Sequence, residues 1–281
     1  FITYESLSLG EYLSKCKDNN LEAKYTISSP IMSKHLVNGS CLTQNIVSDG
    51  KYAYIGVTTF DGSKSGCVEK YDLTTNKSIL ISEKFECSTT ADWKLQTAGN
   101  LCYANGKILF VTNDKGIITL DAETLKIENT KVNFTSSNDH TNITGISYNQ
   151  VTDQYVVSYK SNKSYIFDNE YKLVATLNKN TTHSTLEYQS TTSNSNYIYQ
   201  TFGTDGTYAT SINVFDWNGK FITSLDINTK DATNKLGNSD SGSVQCVFEF
   251  NEKIYLLVLQ WNDSKGGFLY QLNMDQSILP E

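Results

Sequence analysis

Apolar residues in this chain fall in short runs of strand length, and the runs recur in groups of four. The clearest repeat is an apolar stretch, an acidic or amide residue, a short polar turn and a second apolar stretch. Its copies read VEKYDLTTNKSILI, IITLDAETLKIENT, SYIFDNEYKLVATL, INVFDWNGKFITSL and LYQLNMDQSIL. The pivots Asp72, Asp121, Asp168, Asp216 and Asn273 are spaced by 49, 47, 48 and 57 residues, a period of about 48. Upstream of each pivot lie KYAYIGVTT, KILFVTN, QYVVSYKS, YIYQTFG and KIYLLVLQW, and before those QNIVS, NLCY, GISY, LEYQS and QCVFEF. Asp-Gly, Asn-Gly, Asn-Lys and Ser-Asn pairs punctuate the runs as turn signals. No segment after residue 30 carries a helical period.

Four antiparallel strands per repeat describe a propeller blade, and five copies predict an all-β, five-bladed β-propeller. Solenoid repeats are shorter or helical, and an immunoglobulin-like sandwich needs at least seven strands in each module. A single four-stranded sheet cannot bury both faces, so the blades must pack face to face around an axis. The last repeat ends soon after its third strand. Residues 21–29, LEAKYTISS, are therefore expected to supply the missing outer strand and close the ring, with Ser277–Leu279 as the alternative. Residues 1–20 read as an N-terminal cap, with Tyr4, Leu7, Tyr12 and Leu13 on one side of a short helix. Residues 21–281 form the propeller as a single domain. The aspartate pivots Asp72, Asp121, Asp168 and Asp216 read as turn-capping residues, because Asp accepts hydrogen bonds from backbone N–H groups two residues on.

Composition agrees with β structure: 18 Tyr and 12 Phe among 281 residues favour pleated, half-buried surfaces. A net charge of −7 without any basic cluster argues against nucleic-acid binding and against attraction to anionic lipid. No run reaches the ~18 apolar residues of a membrane span. The first residue is Phe1 rather than Met, which fits a processed leader or a trimmed chain. Six cysteines occur without a CxxC pair, so neither a zinc ribbon nor a thioredoxin-like site is indicated. Cys67 and Cys87 share one repeat and are the expected pair if a bridge forms; otherwise the cysteines are buried thiols.

The repeat resembles that of bacterial five-bladed propellers, often lipoproteins or secreted surface proteins. It is also similar to the apolar-Asp-x-x-Thr-x-Lys strands of surface-layer-type propellers, most closely at Leu120-Asp121-Ala122-Glu123-Thr124-Leu125-Lys126. This resemblance covers residues 30–281. It implies a location outside the cytoplasm, secreted or anchored at the cell surface, and says nothing of chemistry.

Loops leading into innermost strands share a rim with those joining second and third strands, and the long loops of this chain fall there. Such asymmetry points to a binding rim. On it the expected ligand contacts are Asp92, Trp93, His140, His183, Glu187, Tyr208, Asp240 and Trp261. Flat aromatic faces suit a glycan or a peptide, and a protein partner is equally accommodated. Trp217 lies in an opposite-rim turn and reads as structural. The histidines, His35, His140 and His183, stand at no metal-ligand spacing, so no metal or cofactor is expected. Asp61-Gly62 and Asp205-Gly206 read as tight turns rather than calcium ligands. The alternative is a carbohydrate-active hydrolase with carboxylates at the axis. The inner strands offer Gln44, Thr144, Glu187 and Gln245, one acid in four, which would need Asp92 or Asp240 as its partner. Asp49 and Glu249 would have to fold inward. Nucleophilic triads, a P-loop and the HExxH helix are absent. The expectation is a monomeric, non-catalytic binding or scaffold module.

Overall fold

A computed structural model describes residues 6–34, 41–59, 65–87, 100–112, 116–130, 132, 134, 143–179, 183–204, 207–230, 243–260 and 266–281. The chain is a five-bladed propeller. Blade 1 is β2 (Cys41–Ser48), β3 (Ala53–Thr59), β4 (Ser65–Asp72) and β5 (Lys77–Ile81), with the short β6 (Phe85–Glu86) also paired to β4. Blade 2 is β7 (Leu101–Ala104), β8 (Lys107–Val111), β9 (Ile117–Asp121) and β10 (Ile127–Glu128). Blade 3 is β11 (Ile143–Asn149), β12 (Gln154–Tyr159), β13 (Ser164–Phe167) and β14 (Leu173–Thr176). Blade 4 is β15 (Tyr188–Ser193), β16 (Tyr197–Gly203), β17 (Ala209–Asp216) and β18 (Phe221–Asn228). Blade 5 is β19 (Ser243–Phe250), β20 (Lys253–Gln260) and β21 (Gly266–Met274), completed by β1 (Tyr25–Lys34). The innermost strands β2, β7, β11, β15 and β19 touch in cyclic order, which closes the ring.

The four aspartate pivots act as the sequence requires, while Asn273 lies within β21 and pairs with Thr26 of the closing strand. The Asp72 carboxylate accepts from the N–H groups of Thr74 and Thr75, and Asp121 from those of Glu123 and Thr124. Asp168 accepts from Glu170 and Lys172, and Asp216 from Asn218 and Lys220. Each carboxylate folds the chain between the third and fourth strands. At the last of these turns Gly219, at φ +85°, lies against the Thr176 carbonyl of blade 3, where a β-carbon would come within 2.3 Å.

The closing strand starts four residues later than the sequence suggests and runs further. It pairs Tyr25 with Met274 and Ile27 with Leu272, then shifts register around Pro30. Proline has no N–H for a ladder, and an outermost strand tolerates that loss. Ser28 Oγ accepts from the Gln271 N–H at 3.0 Å within the irregular stretch. The alternative closing segment forms a 3₁₀ turn, Gln276–Ile278, instead.

Five separate apolar cores occupy the five blade interfaces. The largest lies between blades 4 and 5 and includes the helix α1 (Leu9–Asp18), whose Leu9, Tyr12, Leu13 and Cys16 are buried. Ser8 caps that helix by accepting from the Glu11 N–H. Leu7 packs against the same core, and Tyr4 lies outside the described residues. Gly10 seats the helix on the Tyr197 ring so closely that a β-carbon would stand 2.3 Å from it.

The expected Cys67–Cys87 bridge is not formed. Cys67 packs in the core facing blade 5 and Cys87 in the core facing blade 2, so the body of blade 1 separates them. Cys16, Cys102 and Cys246 are likewise buried thiols in three different cores. No helix among the described residues is long and apolar enough to cross a membrane.

Candidate functional site

Of the expected rim contacts, His183, Glu187 and Tyr208 are described, and all three sit on one edge of blade 4. Asp92, Trp93, His140, Asp240 and Trp261 lie outside the described residues. Glu187 is exposed and stands one residue before β15, so it belongs to the loop rather than the inner strand. Its N–H donates to Thr204 Oγ1 at 3.1 Å, and its carbonyl accepts from the Gly203 N–H. Those bonds tie the loop into β15 to the loop after β16. His183 folds on itself: Nδ1 accepts from the N–H groups of Thr185 and Leu186, and the ring lies 5.9 Å from that of Phe202. The Tyr208 carbonyl accepts from the Thr229 N–H. The rim of blade 4 thus presents an acid, an imidazole and a phenol on hydrogen-bonded loops. Trp217, on the other rim, donates Nε1–H to the Asn194 carbonyl and packs on the core of blades 3 and 4, a structural role.

Polar side chains of the inner strands bond to one another around the axis. Asn45 Nδ2 donates to Asn100 Oδ1 at 3.0 Å, and Asn100 Nδ2 reaches across the channel to the Gln189 carbonyl of blade 4. Further along the inner strands, the Ser147 and Ser193 hydroxyls share a hydrogen bond of 2.6 Å between blades 3 and 4. Thr192 Oγ1 donates to the Val247 carbonyl between blades 4 and 5. Where the inner strands end, on the side of the short turns, a cavity of about 290 Å³ opens between all five blades. Ser48, Tyr103, Ser147, Asn194, Tyr199 and Glu249 are among the residues that line it.

Glu249 does fold inward, and Asp49 does not: the Asp49 carboxylate caps its own turn and accepts from the Tyr54 hydroxyl. Glu249 Oε1 accepts from Asn194 Nδ2 at 3.0 Å. The carboxylate also accepts from the Tyr199 hydroxyl and from the Leu9 N–H at the start of α1. Burial raises the Glu249 pKa more than these three donors lower it, and Glu11 on α1 raises it further. Tyr199 in turn accepts from the Gly10 N–H at 2.9 Å and from Asn194 Nδ2 at 3.0 Å. Burial and the neighbouring carboxylate hold its phenol far above the ordinary range. Sequence reasoning passed over this constellation. The axial bonds share no common offset: 46 residues separate Ser147 from Ser193 and 55 separate Asn194 from Glu249.

No protein-family model matches the chain, and no curated protein matches it in sequence. Among solved structures it is similar to a tail fibre of Staphylococcus aureus phage P68, with 10% identity and a TM-score of 0.60. That match covers 91% of this chain and 53% of the tail-fibre chain. It is also similar to U3-55K (14% identity, TM-score 0.45, 83% of this chain and 64% of that one). A third match is to the WD40 repeats of RRP9 (12% identity, TM-score 0.44, 86% and 67%). The chain thus spans about half of the tail fibre and about two thirds of the others. At such identities the likeness is one of fold, and a propeller fold is consistent with a binding or scaffold module.

Proposed function

We propose that this propeller is a non-catalytic binding module that works outside the cytoplasm, secreted or anchored at the cell surface. It acts as a monomer and holds a glycan, a peptide or a protein on its long-loop rim. The observation that carries this reading is the edge of blade 4, where the described backbone at His183, Glu187 and Tyr208 is held by hydrogen bonds while Glu187 stays exposed. Fixed loops reduce the ordering cost of binding. The extracytoplasmic setting rests on the resemblance of the blade repeat to secreted propellers.

Carboxylate placement removes Glu249 as a hydrolytic partner of Glu187. A glycosidase needs its two carboxyl groups about 5–10 Å apart. Glu187 stands at the start of β15 and Glu249 is level with Asn194, just beyond its end. Seven residues of extended chain separate the two levels by roughly 23 Å. The remaining hydrolase partners, Asp92 and Asp240, lie outside the described residues.

The test is a thermal-shift screen of the purified chain against glycans and peptides, since a ligand of the native state raises the midpoint by mass action. A hit is then measured on Trp93→Ala and Trp261→Ala. Unchanged binding in both variants removes the rim assignment, and turnover of a glycoside that is lost in Glu187→Gln restores the hydrolase. No shift with any ligand leaves a spacer module.

A further inference from the structure

We infer that the axial cavity on the short-turn side is a second binding site, which takes a small primary amine with Glu249 as the counter-charge to its ammonium group. The cavity, at about 290 Å³, is at the lower end of the volumes that small-molecule sites occupy. All five blades contribute to its wall, so its shape is set by the ring and not by one loop.

Its chemistry is one-sided. Among the described residues that line the cavity, Glu249 is the one carboxylic acid, and there is no Lys, Arg or His. Three donors reach the carboxylate, from Asn194, Tyr199 and Leu9. A carboxylate has about four lone-pair sites, so one acceptor position is left. Each of the three donors is neutral, and the start of α1 adds only the partial positive charge of a helix N-terminus, so no full counter-charge faces the carboxylate. The rest of the wall supplies what an ammonium group needs beside a carboxylate. Hydroxyls of Ser147 and Ser193 stand near the axis, and Tyr103 and Phe248 also line the cavity. Aromatic faces attract cations. Glu11 adds a second negative charge close to Glu249, and the whole chain carries −7. A neutral sugar would leave that field unanswered, and an anion would be repelled by it.

The site also predicts its own pH dependence. Burial favours the protonated carboxyl, whereas an ammonium ligand favours the carboxylate, so binding weakens as the pH falls.

The experiment is calorimetric titration of the whole chain with putrescine, with 1,4-butanediol as its uncharged counterpart, glucose as a polyol, and Nα-acetyl-lysine amide. Putrescine is expected to bind saturably, with weaker binding at acid pH, while the diol and glucose give no heat. Glu249→Gln is expected to lower the putrescine affinity by at least about tenfold. Binding of the lysine derivative together with putrescine assigns the ammonium to a protein side chain. Binding of putrescine without it assigns the ammonium to a free amine. No amine binding, equal binding of the diol, or full affinity in Glu249→Gln overturns the proposal. Should Glu249→Gln fail to fold, Ser195→Leu decides the matter. Ser195 is exposed at the mouth, and a bulky side chain there keeps the carboxylate but narrows access. Loss of putrescine binding in that variant supports the site, and undiminished binding overturns it.

Discussion

The Tyr199 hydroxyl and the Glu249 carboxylate share a hydrogen bond beneath the first turn of α1, and that turn donates a backbone N–H to each of them. One buried pair therefore fastens the N-terminal helix to blades 4 and 5. Because burial raises the Glu249 pKa in the native state, native Glu249 binds its proton more tightly than unfolded Glu249. Its contribution to stability is then fully present below the ordinary carboxylate pKa and declines as the pH rises through the native value. As the pH rises above the ordinary carboxylate range, the thermal midpoint of the wild-type chain is expected to fall more than that of Glu249→Gln. A parallel dependence in both proteins would show that Glu249 does not titrate as its surroundings require.

Tyr199→Phe removes the phenol that accepts from Gly10 and Asn194 and donates to Glu249. Loss of a buried partner of this kind costs on the order of 1–3 kcal/mol. The expected result is a lower urea midpoint with an unchanged slope, because the same surface is still buried on folding.

Gly10 offers a sharper test of helix docking. In an isolated helix Gly→Ala is stabilising by about 1 kcal/mol. Here the added carbon would meet the Tyr197 ring at 2.3 Å. Gly10→Ala is therefore expected to destabilise the protein and to raise the protease sensitivity of the Leu9–Asp18 helix. In a Tyr197→Ala background the ring is gone, and the same change should cost little. A double-mutant cycle measures that coupling directly. Additive effects would contradict the docking geometry.

The blades were legible because their signals are local. Asp72, Asp121, Asp168 and Asp216 each bond N–H groups within four residues, and the strand runs on either side pair through those turns. Ring closure was legible from a deficit, since the last repeat lacked its outer strand and LEAKYTISS lay unused at the other end. The axial constellation was not legible in the same way. Whether Glu249 faces the axis depends on the register of β19, which shifts between Val244 and Cys246. Its partners come from a neighbouring blade and from a helix some 240 residues earlier, and no local pattern joins them. The Cys67–Cys87 expectation failed for a related reason. Nearness within one repeat does not decide on which face of a blade a side chain points.

Ring closure by β1 carries its own prediction. Removing residues 1–34 would bare the hydrogen-bonding edge of β21 from Gly267 to Met274 and strip Tyr25, Ile27 and α1 from the core of blades 4 and 5. An open strand edge beside an uncovered apolar core is a template for association. The truncated chain is expected to elute as aggregate on size exclusion, whereas Ile31→Lys, at an exposed position of the same strand, should elute with the wild type.

The buried thiols give the last test. Burial pushes the Cys246 thiol up to about 12, and drives Cys102 in the same direction. The reactive species is the thiolate, so neither residue is chemically available near neutral pH while the fold holds. Cys16, Cys67 and Cys87 are as deeply enclosed. A chromogenic disulfide reagent is therefore expected to leave Cys16, Cys67, Cys87, Cys102 and Cys246 unmodified in the native chain and to titrate all six cysteines in denaturant. The unfolded chain should migrate identically with and without reductant, because Cys67 and Cys87 face different cores. A faster band without reductant that disappears in Cys67→Ser would restore the bridge. It would also require β4 to rotate between blades 5 and 2, a change that the Cys246 core on one side and the Phe85–Phe110 contact on the other both oppose.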